Sequence, residues 1–204
     1  MKLFLSSRGI PLHVQAAFGG FFRHDLHEVK IAYIPNARDV KDGISQTFLD
    51  LQALTKLQVV DLQDFRGQAE KLRQTLADYD AVWVAGGNAF FLRYMMRESG
   101  FDQIIAGLVE NGLVYAGSSA GSIVAGPTLR HFDLLDEPER SPEVIWQGLS
   151  LTEIVIIPHV NDPRYQEGAM KIKEKLLRNH DWPVISLHDG QVVMINDDDW
   201  QILS

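Results

Sequence analysis

A chain of 204 residues, 46% apolar and 23% charged, has the length and composition of one soluble globular domain with enough material for a full core. Its formal net charge of −8 argues against nucleic acid or an anionic membrane as a partner, since both require basic surface. The absence of cysteine excludes disulfides, thiolate metal sites and a cysteine nucleophile.

Taken in chain order, the pattern alternates strands and helices. Residues 2–5 are apolar over too short a run for a signal peptide or a membrane span and read as the first strand, with a cytoplasmic address as the default expectation. Residues 29–34 make a second strand, stopped by Pro35. A helix from Gly43 to Leu57 leads to a short strand at 59–62, and a polar-amphipathic helix at 67–78 leads to a buried strand at 81–85 that ends in Gly86-Gly87-Asn88. Helices at 89–98 and 101–110 precede an apolar strand that runs into Gly117-Ser118-Ser119-Ala120-Gly121. The charged segment 130–148, with Pro138 and Pro142, is either a lid or plain surface. A strand at 154–157, a charged helix near 164–178, and strands at 184–187 and 191–195 complete the chain. Continuous apolar strands separated by helices predict a single α/β domain over residues 1–204, three-layered, with a mostly parallel sheet covered by helices on both faces. The short link His188-Asp189-Gly190 predicts an antiparallel C-terminal strand pair.

Ligands of open α/β sheets gather beyond the carboxyl ends of the strands. Five polar or glycine-rich segments follow predicted strands, at 35–37, 86–88, 117–119, 158–160 and 188–190. The third has the form Gly-x-Ser-x-Gly between a strand and a helix, a turn that bends sharply and exposes its serine, here Ser119, at the sheet edge. Its neighbours must be small because the backbone doubles back on itself.

A serine hydroxyl becomes a nucleophile through a base, and the base needs an orienting partner. His13, His24, His27 and His180 lie in polar surroundings away from strand ends and read as surface groups; His24 and His27 lack a third ligand for a metal. His159 directly follows the strand at 154–157, with His188 as its competitor. Asp189, two residues past Leu187, is the leading candidate for the orienting carboxylate. Asp162 is its rival, although Asn161-Asp162-Pro163 also reads as a helix start with Asp162 as the cap, and Asp197, Asp198 and Asp199 read as a solvated turn. The backbone N–H groups of Ala120 and Gly87 are candidate oxyanion donors. Neither Gly-x-Gly-x-x-Gly nor Gly-Lys-Ser/Thr occurs, so no phosphate-binding loop is expected.

With the Ser119 turn, the Gly-Gly-Asn segment, the Pro158-His159 strand end and the Asp189-Gly190 turn in this order, the chain resembles the peptidase E family, serine peptidases related to aspartyl dipeptidases and cyanophycinases. Ala85-Gly86-Gly87-Asn88-Ala89-Phe90-Phe91-Leu92 and Gly117-Ser118-Ser119-Ala120-Gly121 carry the resemblance most strongly. It implies a fold like that of class I glutamine amidotransferases, with serine in place of their cysteine. It further implies a triad of Ser119 as nucleophile, His159 as base and an acid at Asp189. Dipeptidase members carry Glu-Gly where this chain has Asp189-Gly190, so the acid here is one methylene shorter. The stretch from Gly126 to Arg130 matches the segment after the family's serine turn, and Asp133 stands about where aspartyl dipeptidases have an Asn-Asp pair.

Specificity for N-terminal aspartate requires a cation to receive the substrate carboxylate. Arg130, Arg164, Lys171 and Lys173 are the candidates, with Asn88 as a further substrate contact. The resemblance implies a serine exopeptidase acting on short peptides, N-terminal Asp dipeptides among them, with no cofactor or metal, a small peptide as its partner, and no nucleic acid or membrane. Its rivals are an esterase or amidase on the same turn, and a binding member of the fold in which Asp189 fails to reach His159.

Overall fold

Strands that are apolar at every position need cover on both faces, and helices supply it here. The computed structural model describes residues 1–37, 44–179, 182–197 and 199–204. The strands are β1 (Lys2–Ser6), β2 (Lys30–Ile34), β3 (Lys56–Val59), β4 (Ala81–Val84), β5 (Val114–Ser118), β6 (Val155–Ile157), β7 (Val184–Ser186), β8 (Val192–Asn196) and β9 (Asp199–Leu203). The helices are α1 (Leu12–Gly19), α2 (Gln46–Leu54), α3 (Ala69–Leu76), α4 (Ala89–Ser99), α5 (Phe101–Glu110), α6 (Ala120–Ala125) and α7 (Gln166–Asn179). Seven strands form one sheet in the order β3-β2-β4-β5-β1-β8-β9. It is parallel from β3 to β1 and antiparallel at β1–β8 and β8–β9.

Strand parity sorts the apolar side chains into two cores. Leu3, Leu5, Ile34, Val82, Val84 and Tyr115 face the layer that contains α3 to α7, whereas Phe4, Ile31, Tyr33, Trp83 and Ala116 face α1 and α2. Among the described residues, no helix is long and apolar enough to cross a membrane.

The antiparallel C-terminal pair is present as β8 and β9. The two strands flanking residues 188–190 do not pair with each other: β7 pairs in parallel with β6 in a separate two-stranded sheet, and β8 lies against β1. β3 ends three residues before the predicted limit because the Asp61 carboxylate accepts from Gln63 N–H at 2.8 Å and starts a short 3-10 turn over Leu62–Phe65. Helix α1 had no counterpart in the pattern, since it buries only Val14 and Phe18. The residues Gly43, His180 and Asp198 considered above lie outside the described residues.

Segment 130–148 is strapped to α4. Trp146 packs edge-on against Phe90 with ring centroids 5.4 Å apart, Arg97 forms a two-pronged ion pair with Glu143 at 2.7 Å, and Asn88 Nδ2 donates to the Glu137 carbonyl at 2.9 Å.

Helix α6 starts hard against the sheet. A Cβ on Gly121 would sit 2.2 Å from the Val84 carbonyl oxygen, while a Cβ on Gly107 in α5 would meet nothing within 4 Å. Gly121→Ala is therefore expected to cost about 1–3 kcal/mol through overpacking, lowering Tm by roughly 2–12 °C for a chain of this size. Gly107→Ala should leave Tm unchanged or raise it, alanine being the better helix former. Thermal denaturation of the two variants checks the contrast.

Candidate active site

Ser119 sits between β5 and α6 with φ 52° and ψ −114°, a conformation a serine adopts only where its surroundings enforce it. Three groups hold it there. The Ser119 N–H donates to the Ser6 carbonyl at 3.1 Å. The Ser122 hydroxyl lies 2.8 and 2.9 Å from the carbonyls of Ser6 and Gly117. The buried Tyr115 hydroxyl donates to the Gly121 carbonyl at 2.7 Å, and burial drives its pKa upward, keeping it a neutral donor.

His159 and Asp189 follow the strands of the other sheet. His159 follows β6 and Pro158, itself in a positive-φ conformation at 62°. Its Nε2 lies 2.8 Å from Ser119 Oγ and its Nδ1 lies 2.6 Å from Asp189 Oδ1. Since an ionised carboxylate only accepts, Nδ1 carries the proton and Nε2 is left free to accept one from the serine. The shorter aspartate thus reaches the imidazole, and the separation that a broken triad requires is absent. Asp189 is held on all sides: Oδ1 also accepts from Ser7 Oγ at 2.9 Å, Oδ2 pairs with Arg8 Nε at 2.8 Å, and its backbone N–H donates to Asn161 Oδ1 at 2.7 Å. The Ser7 oxygen in turn accepts the His159 backbone N–H at 2.9 Å.

Burial lowers the His159 pKa from 6.5, outweighing the upward pull of the Asp189 hydrogen bond and charge; the Arg8 charge adds to the lowering and the Asp162 charge opposes it. A neutral imidazole at pH 7 is the form able to accept a proton.

Two backbone donors flank the serine. Ala120 N–H opens α6, where helical geometry provides no acceptor. Gly87 lies next to Gly86, which packs so closely that a Cβ on it would come 3.0 Å from Ser119 Cβ. Neither N–H has a hydrogen-bond partner among the described residues. Gly87 has φ 148°, and a Cβ there would sit 1.9 Å from the Ala37 carbonyl oxygen, so only glycine fits.

Ser119 and His159 open into a cleft of about 550 Å³ whose lining includes Arg8, Tyr33, Gln46, Gly87, Arg164 and Tyr165. The remaining predicted residues divide between cleft and surface. Arg164 lines the cleft, but its Nε and Nη2 are engaged by Asp162 at 3.0 and 2.6 Å. Asn88 Oδ1 caps α4 by accepting from Phe91 N–H at 2.9 Å while Nδ2 holds Glu137, so both ends of this side chain are occupied. Arg130, Asp133, Lys171 and Lys173 are exposed and outside the cleft lining, with Lys171 paired to Glu167. No described residue of 130–148 lines the cleft. His188, His13, His24 and His27 are exposed and lie outside it as well. Asp162 caps the approach to α7, its Oδ1 accepting from Arg164 N–H at 3.0 Å, and the guanidinium of Arg164 holds its carboxyl well below the usual range.

Ser7, Arg8 and Tyr165 were not among the predicted residues. Ser7-Arg8-Gly9 is itself a polar, glycine-containing segment after a predicted strand, the signal that marked the five other segments.

The chain is similar to known peptidases. The family model described as peptidase family S51 matches residues 3–203. An uncharacterized peptidase of Listeria innocua is 26% identical over 84% of this chain and 84% of its own length. A peptidase E of a Nostoc species is 30% identical over 82% of this chain and 69% of its own. The crystal structure of a candidate peptidase E protein from Listeria monocytogenes superposes with a TM-score of 0.83 at 21% identity, covering 99% of this chain and 97% of that one, a likeness of fold.

A base whose pKa is lowered stays neutral until the pH falls below its ordinary value. The acid limb of kcat/KM on a short peptide should therefore have its midpoint below 6.5. A pH-rate profile between 4.5 and 9 (roughly the range in which histidine titrates) checks this, and a midpoint above the ordinary value contradicts it.

Proposed function

The chain belongs to peptidase family S51, and on that premise we propose that it is a serine exopeptidase that hydrolyses short peptides through an acyl-enzyme on Ser119. The observation that carries the reading is the unbroken line from Ser119 Oγ through His159 to Asp189, with contacts of 2.8 and 2.6 Å. As the Ser119 oxygen attacks the scissile carbonyl carbon, its proton passes to His159 Nε2, and Asp189 steadies the resulting imidazolium through Nδ1–H. The carbonyl oxygen, now negative, is received by the N–H groups of Gly87 and Ala120. Collapse of the tetrahedral species expels the amine, which takes the proton back from Nε2. Water, deprotonated by the same nitrogen, then releases the acid and restores the serine.

The cleft volume of about 550 Å³ supports a small substrate. Both arginines that line the cleft are engaged by carboxylates, Arg8 by Asp189 and Asp162 and Arg164 by Asp162. Among the described residues, then, the cleft offers a substrate carboxylate no uncommitted guanidinium. Short-peptide hydrolysis is accordingly better supported than a strict preference for N-terminal aspartate.

Incubating wild type and Ser119→Ala with a panel of dipeptides and small esters, Asp-Leu and neutral analogues included, tests the proposal. Wild type should hydrolyse at least one dipeptide, and the variant should lose about 10³-fold or more of that rate. Equal hydrolysis by both proteins contradicts the assignment of the nucleophile, and cleavage of esters alone contradicts the peptidase class.

A further inference from the structure

The nucleophile stands on the seven-stranded sheet, while the base and the acid follow β6 and β7, which among the described residues pair only with each other. Apolar packing of β6 against α6 brings the two sheets together, and the fine placement of the imidazole against the serine then rests on the polar contacts beside them. The loop after β1 supplies such contacts. Ser7 touches both the His159 backbone and the Asp189 carboxylate, as described above. Arg8 reaches further: its Nε pairs with Asp189 Oδ2 at 2.8 Å and its Nη2 with Asp162 Oδ2 at 3.1 Å. One guanidinium thus bridges the loop of the acid and the turn that leaves the base, using the planar fork that lysine lacks.

We propose that Arg8 is a positioning residue for the triad: its fork clamps Asp189 and Asp162 to the main sheet and so holds His159 against Ser119, and it does not serve as a receptor for a substrate carboxylate. This rests on the serine-peptidase reading above. Arg8, Ser7 and Asn161 between them engage both oxygens of the Asp189 carboxylate and its backbone N–H. The charged groups that act on His159 are Asp189, Arg8 and Asp162, and the Tyr165 ring lies over the imidazole with centroids 5.1 Å apart. Removing Arg8 takes away the positive charge among them and raises the affinity of the imidazole for its proton.

A fluorophosphonate probe separates clamping from substrate binding, because it reacts with an activated serine and carries no carboxylate for an arginine to hold. Labelling rates of Ser119 in wild type, Arg8→Gln and Arg8→Lys would be measured across pH, with Ser119→Ala as the blank. Arg8→Gln should label roughly ten- to a hundredfold more slowly on the pH plateau, the loss that misplacing a catalytic group brings, and its acid limb should move to higher pH. Arg8→Lys should keep the limb near its wild-type position, since the charge remains, yet label slowly, since an ammonium cannot grip both carboxylates as the fork does. Wild-type labelling rates in Arg8→Gln, or complete rescue by lysine, overturn the clamp and leave the peptidase reading standing. A wild-type protein that is not labelled at all overturns both.

Discussion

Helix α6 approaches β4 and β5 so closely that no side chain fits between them, and the geometry of the site depends on that contact. A Cβ on Gly117 would lie 2.5 Å from the backbone of Gly121, and one on Gly121 would lie 2.2 Å from the Val84 carbonyl oxygen. With both positions bare, the chain turns from strand to helix within a single residue, and that residue is Ser119, forced to φ 52°. The strain is local and is held by bonds from Ser6, Tyr115 and Ser122 rather than by the serine itself. One turn therefore delivers three things: a hydroxyl lifted off the sheet, an Ala120 N–H with no helical acceptor, and a helix N-terminus beneath the developing charge.

The second half of the site follows a different logic. His159 and Asp189 follow neighbouring strands of a small parallel sheet, so their relative placement is fixed by β6–β7 pairing, in which Ile157 lies opposite Ser186. Their placement relative to Ser119 depends on the packing of β6 against α6 and on the polar contacts made by the loop after β1. Electrostatics reinforces the geometry. Burial lowers the His159 pKa, while the hydrogen bond and charge of Asp189 favour its cation.

Much of this was legible because it is local. Continuous apolar runs such as Ala81–Val84 can only be buried strands, and a small-residue turn after such a run fixes where a nucleophile stands. His159 and Asp189 were legible by the same rule, as polar residues directly after strand ends. What escaped was either weakly patterned or long-range. Helix α1 buries Val14 and Phe18 alone, too little to show a period, and β9 is short and exposed along most of its length. The separate sheet was hidden because strand pairing is not written in either strand. Ser7 and Asp189 lie 182 residues apart, and nothing in either neighbourhood announces the other. Of the cationic candidates Arg164 lines the cleft, and whether it is free or paired depends on its partner, here the nearby Asp162, which the helix-start pattern identifies as a cap without identifying it as a counter-ion.

The account stands on Ser119 forming a covalent intermediate in the course of turnover. The measurement that tests it most directly is acid quenching of the enzyme during turnover of an activated peptide ester, followed by mass mapping of the digested protein. The account predicts an acyl group on the fragment that contains Ser119, absent when His159 is replaced by alanine. Sustained turnover with that fragment unmodified and the acyl group on another residue would contradict it.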